Sequence, residues 1–136
     1  RWYIEEDYQE QYGKAVRLFL GSKKEGDTYD DVYYETEGQI VYLLSKASVS
    51  ASKLKEMGFS EEIVEAVEAM KKKDDETYMQ YVERAAQNEI ARELIEDQVR
   101  LAVDISSLKS IDEAMVKTLN ENLEALHYLE SLEIVE

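Results

Sequence analysis

The chain has 136 residues, of which 16 are basic and 31 acidic, so its formal net charge is −15. This length fits one small domain, and the hydrophobic fraction of 44% is that of a folded protein rather than a disordered one. No apolar run approaches the ~18 residues of a membrane span and no signal-peptide pattern opens the chain, so we expect a soluble, cytoplasmic protein that does not bind membranes.

Residue types that serve metal and nucleophilic chemistry are nearly missing. The chain has no cysteine and one histidine, His127, which excludes thiolate zinc sites and His-rich metal sites. It has no glycine-rich phosphate loop and no GxSxG motif. The strong negative charge also repels nucleic acid, so we expect no direct contact with DNA or RNA.

The absence of proline and the presence of only five glycines favour long helices. We predict an all-α fold: a compact single-domain bundle of six to seven helices over residues 1–136. The first apolar stripe predicts a helix over residues 4–20 with Gly21 as its C-terminal cap. A polar loop is expected over residues 22–31.

Three further helices are predicted in the middle of the chain. The second covers residues 32–46, and a short third covers residues 51–57 and stops at Gly58. Ser60 is the predicted N-cap of the fourth, which should run to about Lys72 with a basic last turn. The inward positions of the second helix are Ile40, Val41, Leu43 and Leu44.

The second half of the chain predicts three helices with their own caps. Asp74 or Asp75 should cap a helix over residues 76–87, and Asn88 should cap the next. We expect that sixth helix to be well buried through its apolar positions, which are Ile90, Ala91, Leu94, Ile95, Val99, Leu101 and Ala102. The last helix should start at a capping box over residues 110–113. Its apolar stripe is Met115, Leu119, Leu123, Leu126 and Leu129.

Two features carry more than one interpretation. The ten tyrosines include a group that either stacks a base or partner side chain, or fills the rim of the core: Tyr29, Tyr33, Tyr34 and Tyr42. The pairs Glu61 with Glu65 and Glu93 with Asp97 stand one turn apart. They are either oxygen ligands for Mg²⁺ or Ca²⁺ or parts of a solvated acidic face.

One part of the chain resembles a known family. Residues 58–70, GFSEEIVEAVEAM, followed by residues 76–84, ETYMQYVER, are similar to a stretch of the HD-domain phosphohydrolases. More specifically, the stretch looks like the branch related to guanosine polyphosphate pyrophosphohydrolases. In that family a helix with a metal-binding aspartate follows, and residues 91–104 match it here. The resemblance implies an all-α fold and a divalent-metal hydrolase that acts on nucleotide phosphates.

The metal ligands that this resemblance implies are missing from the chain. Thr36 stands where the family has its first histidine, and Ser45 and Lys46 replace the adjacent His-Asp pair. Gln98 stands in place of the last metal-binding aspartate, and Ala102 in place of the asparagine after it. The family site requires three imidazoles, so we expect a degenerate HD-like protein with no catalytic residues, metal or cofactor.

The favoured hypothesis is therefore a non-catalytic binding protein whose acidic surface docks on a basic protein partner. It would act as a nucleic-acid mimic or as an inhibitor of a nucleic-acid-binding enzyme. The candidate partner-binding residues are Glu61, Glu65, Glu68, Glu89, Glu93, Glu96 and Asp97. The alternatives are a pseudoenzyme that senses a guanine nucleotide, a phosphohydrolase with a rebuilt metal site, and a structural role with homo-oligomers formed through the leucine stripe.

Overall fold

The computed structural model describes residues 6–22 and 36–134. Within these ranges the chain forms seven α-helices and no strand, which confirms the all-α prediction. The helices are α1 Glu6–Ser22, α2 Thr36–Lys46, α3 Ala51–Glu56, α4 Glu61–Ala69, α5 Tyr78–Ala85, α6 Glu89–Val103 and α7 Glu113–Ile134. Most of the predicted loop, together with the predicted starts of the first two helices, lies outside the described residues.

The contacts divide the chain into two units, residues 1–71 and residues 72–136. In the first unit α2 packs against α1 and α4, and α3 packs against α4. The middle of α2 is buried on all sides because consecutive positions carry apolar side chains. The predicted inward residues Ile40, Val41, Leu43 and Leu44 are confirmed, each at most 3% exposed. The single domain stays a prediction.

In the unit of residues 72–136, helices α5, α6 and α7 pack against one another. Ala85 on α5 and Ala125 on α7 are fully buried, and such small side chains let helices approach closely. Leu94, Ile95 and Leu129 fill the remaining core. Each large apolar side chain buried in this way stabilises the fold by roughly 1.5–3 kcal/mol.

The turn between α3 and α4 is held in place by α1. Gly58 adopts φ of +92°, a left-handed conformation that residues with a Cβ rarely take. The Nζ of Lys14 donates a hydrogen bond to the carbonyl oxygen of Met57. The Oε1 of Gln11 accepts a hydrogen bond from the backbone N–H of Ser60 at 2.7 Å. Gly58 therefore ends the α3 segment and allows Ser60 to start α4.

Gly58→Ala is expected to destabilise the protein by about 1–2 kcal/mol, because alanine must then adopt the left-handed conformation. An added Cβ would lie 3.4 Å from Lys14 Nζ, an ordinary contact, so the loss comes from the backbone. Gly21→Ala is the control, since nothing lies within 4 Å of a Cβ added there in α1. That change should be neutral or stabilising, by up to ~1 kcal/mol. Urea denaturation measures both, and an unchanged stability of Gly58→Ala would contradict this account.

Two helix ends differ from their predictions. Helix α1 continues through Gly21 to Ser22 instead of stopping at a glycine cap. Helix α4 ends at Ala69 rather than near Lys72, so the predicted basic last turn lies beyond the helix. The Nζ of Lys71 donates a hydrogen bond to the carbonyl oxygen of Val49 at 2.9 Å. Lys71 therefore contacts the segment between α2 and α3 instead of extending α4.

Two predicted caps are confirmed. The side chain of Ser60 accepts a hydrogen bond from the backbone N–H of Ile63 at 3.3 Å. The side chain of Asn88 accepts one from the backbone N–H of Ala91 at 3.0 Å. Both caps depend only on residues three positions apart, which is why the sequence predicts them correctly.

The predicted caps of α5 and α7 are wrong. Helix α5 starts after Thr77, not after an aspartate, because the side chains of Thr77 and Gln80 each accept from the other's backbone N–H in a capping box. Helix α7 starts after Asp112, whose Oδ1 accepts from the backbone N–H of Met115 at 2.9 Å. The predicted box began two residues earlier, at Ser110.

The prediction that the last turn of α6 is buried is also wrong. Leu101 is 55% exposed, and Ala102 is exposed as well. Both continue the helical period of Leu94 and Ile95, which are buried as predicted. The packing of α6 therefore ends before the helix does.

Candidate functional site

Three of the predicted partner-binding carboxylates form an exposed row on α4, which we call the α4 acidic face: Glu61, Glu65 and Glu68. They point outward because the opposite side of the helix is buried, with Ile63, Val64, Ala66 and Val67 at most 2% exposed. Side chains three or four positions apart on a helix are neighbours, about 5–6 Å apart at Cβ. Glu68 pairs with Lys71 at 3.2 Å, whereas no ion pair within the described residues involves Glu61 or Glu65.

The four predicted carboxylates of α6 divide into two kinds. Glu89 and Glu93 are exposed, and no ion pair in the described part of the chain involves them. Glu96 and Asp97 are half-buried. The outward pair of α6 is thus exposed like the α4 acidic face, while the other two carboxylates are partly enclosed in their own unit.

Glu96 belongs to a charge cluster between α6 and α7. The Nη2 of Arg100 lies 2.8 Å from Glu96 Oε1 and 3.4 Å from Glu130 Oε2. A hydrogen bond with Glu96, together with its charge, raises the pKa of Glu133. Arg100 therefore pairs with one carboxylate on each helix, and Glu133 joins the cluster through Glu96.

Asp97 differs from the carboxylates on the exposed side of α6. Burial raises the pKa of Asp97, the charge of Glu96 raises it further, and Arg100 lowers it in part. A carboxylate that loses hydration on folding is less available to a partner than a fully exposed one. Glu89 and Glu93 are therefore the better candidates on this helix.

The positions that matched the HD-type metal ligands lie in both units. Thr36 is the first residue of α2, and the hydroxyl of Ser45 donates to the carbonyl oxygen of Tyr42 at 2.7 Å. Gln98 is half-buried on α6, and Ala102 is exposed in its last turn. The first two belong to residues 1–71 and the last two to residues 72–136. The HD resemblance stays a prediction.

The tyrosine group is only partly described. Tyr29, Tyr33 and Tyr34 lie outside the described residues. Tyr42 is 2% exposed, so it belongs to the core rather than to its rim, and the ammonium of Lys46 lies 5.4 Å from the centre of its ring. Neither a stacking role nor a solvated hydroxyl fits Tyr42. His127 is exposed on α7.

The polar and aromatic side chains of residues 76–84, ETYMQYVER, contact one another or nearby helices. Glu76 accepts hydrogen bonds from Arg84 at 2.6 and 2.9 Å and from the backbone N–H of Lys73 at 2.8 Å. The Arg84 guanidinium lies 5.9 Å from the centre of the Tyr81 ring. The hydroxyl of Tyr78 donates to Oδ1 of Asn122 on α7 at 2.9 Å. This motif therefore builds the start of α5 and its contact with α7, a structural role that the sequence analysis missed.

Glu76→Gln is expected to remove an acid-sensitive part of the stability. Hydrogen bonds from Arg84 and from the backbone of Lys73 lower the pKa of Glu76 from 4.5 to about 2. Because the folded-state pKa is the lower one, ionised Glu76 stabilises the fold fully above pH 4.5 and loses this contribution as the pH falls toward 2. The difference in melting temperature between the unchanged protein and Glu76→Gln should therefore shrink across this range.

Glu83→Gln is the matched control for that experiment, because Glu83 is exposed on the same helix. Its melting temperature should follow that of the unchanged protein at every pH. A difference for Glu76→Gln that stays constant between neutral pH and pH 2 would contradict the assignment of this pKa to the Arg84 contact.

An apolar groove that the sequence analysis did not predict lies between the α6–α7 connection, residues 104–112, and the first turns of α7. We call it the connection groove. It encloses about 330 Å³, at the lower end of the roughly 300–1,000 Å³ of ligand pockets. Its apolar lining is Ala102, Ile105, Leu108, Ile111, Met115 and Leu119. A sequence signal for it exists, since a non-helical connection carries apolar residues at every third position, 105, 108 and 111.

No protein-family model matches the chain, and no curated protein is significantly similar to it. Among the described residues, no three histidine, aspartate or glutamate side chains come together as a metal site. In the same ranges no helix is long and apolar enough to cross a membrane. The geometry and charge of the helices are therefore the features that indicate a function.

Proposed function

We propose that this protein is a non-catalytic acidic helical protein that binds a basic protein partner. The observation that carries the proposal is the outward placement of four carboxylates in two pairs, each pair one turn apart. No ion pair within the described residues involves any of them. We call them the outward carboxylates: Glu61, Glu65, Glu89 and Glu93.

The helices hold these charges at the surface. Helix α4 and helix α6 each bury their opposite side, which places these carboxylates in solvent. In a chain of net charge −15, such groups add to a field that attracts lysine- and arginine-rich surfaces over long distances. This field raises association rates and disfavours acidic partners.

Competition with nucleic acid follows from the same chemistry. Surfaces that bind nucleic acid present lysine and arginine to a row of phosphates. Carboxylates that recur once per helical turn, about every 5.4 Å, offer such a surface a second row of negative charge. We propose that the protein occupies a basic surface of this kind and thereby excludes nucleic acid from it.

Affinity capture with two variants of equal net charge tests the proposal. The outward-carboxylate variant is Glu61→Gln, Glu65→Gln, Glu89→Gln and Glu93→Gln. The charge-matched variant is Asp74→Asn, Asp75→Asn, Glu83→Gln and Glu124→Gln, all at exposed positions. Each variant is immobilised beside the unchanged protein, exposed to a lysate, washed with increasing salt, and its bound proteins are identified by mass spectrometry.

The expected result is a basic protein that is retained by the unchanged protein and the charge-matched variant, lost from the outward-carboxylate variant, and released by moderate salt. Added DNA should displace it. Equal capture by all three baits, or retention that does not depend on salt, would contradict the proposal. Equal loss from both variants would also contradict it, because net charge alone would then explain the binding.

A further inference from the structure

The connection groove is an exposed apolar surface. Ile105, Leu108 and Ile111 are 41%, 45% and 40% exposed. Five of the six most exposed large apolar side chains among the described residues lie between Leu101 and Val116. Contiguous apolar surface of this kind on a small protein marks an interaction site more often than isolated exposed residues do.

We propose that the connection groove binds an amphipathic helix of the protein partner that carries lysine or arginine on its polar side. The inference rests on the proposed function, since it names the segment of the basic partner that docks. Met115 and Leu119 stand one turn apart on α7, and further along the same helix Asn122 is already bound by Tyr78 of α5.

A helix laid against these first turns of α7 would extend the packing that α5 provides from Asn122 onward. Its apolar residues, at spacings of three and four, would enter the groove between α7 and the connection. Such a helix buries its own apolar face at the same time as it covers Ile105, Leu108 and Ile111. An extended occupant would find no strand to pair with, because the described residues form helices and no sheet edge.

The charge around the groove indicates which kind of amphipathic helix can bind there. Asp112 lines the groove, and Asp104 and Glu113 lie beside its lining residues in the chain. Lys109 and Lys117 are the cations of the same stretch, so residues 104–119 carry three acidic and two basic side chains within a chain of net charge −15. A second copy of the chain, itself at −15, and an anionic lipid surface would both be repelled. A basic amphipathic helix is the occupant that satisfies both the apolar lining and the charge.

Calorimetric titration with synthetic peptides tests the inference. The probe is a leucine–lysine peptide of about 18 residues, five helical turns, with its leucines on one face. The control peptide has the same composition in an order that scatters the leucines around the helix. The amphipathic peptide should bind at least about tenfold more tightly than the scrambled one, because only it can insert apolar side chains.

A groove variant locates the binding. Ile105→Ser, Leu108→Ser and Ile111→Ser change exposed positions and should weaken the amphipathic peptide at least about tenfold. The control is Leu20→Ser on α1, where an equally apolar and 63% exposed residue should be replaced without effect. An equal loss in both proteins, or no loss in the groove variant, would overturn the inference.

The remaining outcomes separate this inference from the proposed function. Equal, salt-sensitive binding of both peptides to the unchanged protein overturns the groove as a helix site, while binding through charge stands. Failure of both peptides overturns the groove as well, and the capture experiment decides separately whether a basic partner binds. Two results would assign the groove to another occupant. One is a dimer of the unchanged protein in sedimentation that the groove variant does not form, and the other is binding to anionic vesicles that the groove variant loses.

Discussion

Replacing Leu129 with alanine is expected to destabilise the unit of residues 72–136 by about 2–5 kcal/mol. Leu129 is 1% exposed on α7, where Ala125 lies one turn before it and is fully buried. The substitution removes apolar contacts and leaves a cavity that rigid neighbouring helices fill only in part. Small domains are stable by only about 5–15 kcal/mol, so this single change removes a large share of the total.

Urea denaturation followed by circular dichroism measures that loss. Leu20→Ala is the matched control, because Leu20 is 63% exposed and its truncation should change the stability by no more than about 0.5 kcal/mol. A Leu129→Ala protein that unfolds at the same urea concentration as the unchanged protein would show that α7 is not packed as described.

Charge reversal of the outward carboxylates is expected to slow association with the captured partner by about 10- to 1,000-fold at low salt. The variant is Glu61→Lys, Glu65→Lys, Glu89→Lys and Glu93→Lys, and its substitutions lie on exposed sides of α4 and α6. Long-range charge attraction acts mainly on the rate of encounter, so the association rate should change more than the dissociation rate. Surface plasmon resonance separates the two rates.

Two further measurements make this prediction specific. Circular dichroism should show unchanged helix content, because none of the four side chains is buried. The difference in association rate should become small at high salt, where the Debye length falls to about 3 Å. A charge-reversed protein that associates as fast as the unchanged one would contradict a role for the outward carboxylates.

The parts of the fold that depend on neighbours in the chain were predictable. The buried residues of α2 follow from its consecutive apolar positions, and Ser60 and Asn88 cap their helices through contacts three residues away. The start of α5 was not, because Asp74, Asp75 and Thr77 all have capping side chains. The reciprocal bonds between Thr77 and Gln80 decide among them.

Features that depend on distant residues could not be predicted. Glu96 shares the charge pattern of Glu93, yet contacts with Arg100 and α7 leave its side chain 15% exposed. Leu101 keeps the period of the buried α6 residues, although the packing around α6 ends before its last turn. The period reports which face of a helix is apolar, but the position at which its packing partner ends is a tertiary property. The connection groove lies where the packing around α6 ends, next to the last turn of that helix.

Binding through the outward carboxylates is tested most directly by the salt dependence of the affinity for the captured partner, measured by calorimetry. Over a change from low to high salt, the Kd of the unchanged protein should rise at least about tenfold, because screening removes the attraction between the carboxylates and the basic surface. The charge-matched variant should keep this full dependence, and the outward-carboxylate variant should lose most of it. The same salt dependence in all three proteins would contradict the account.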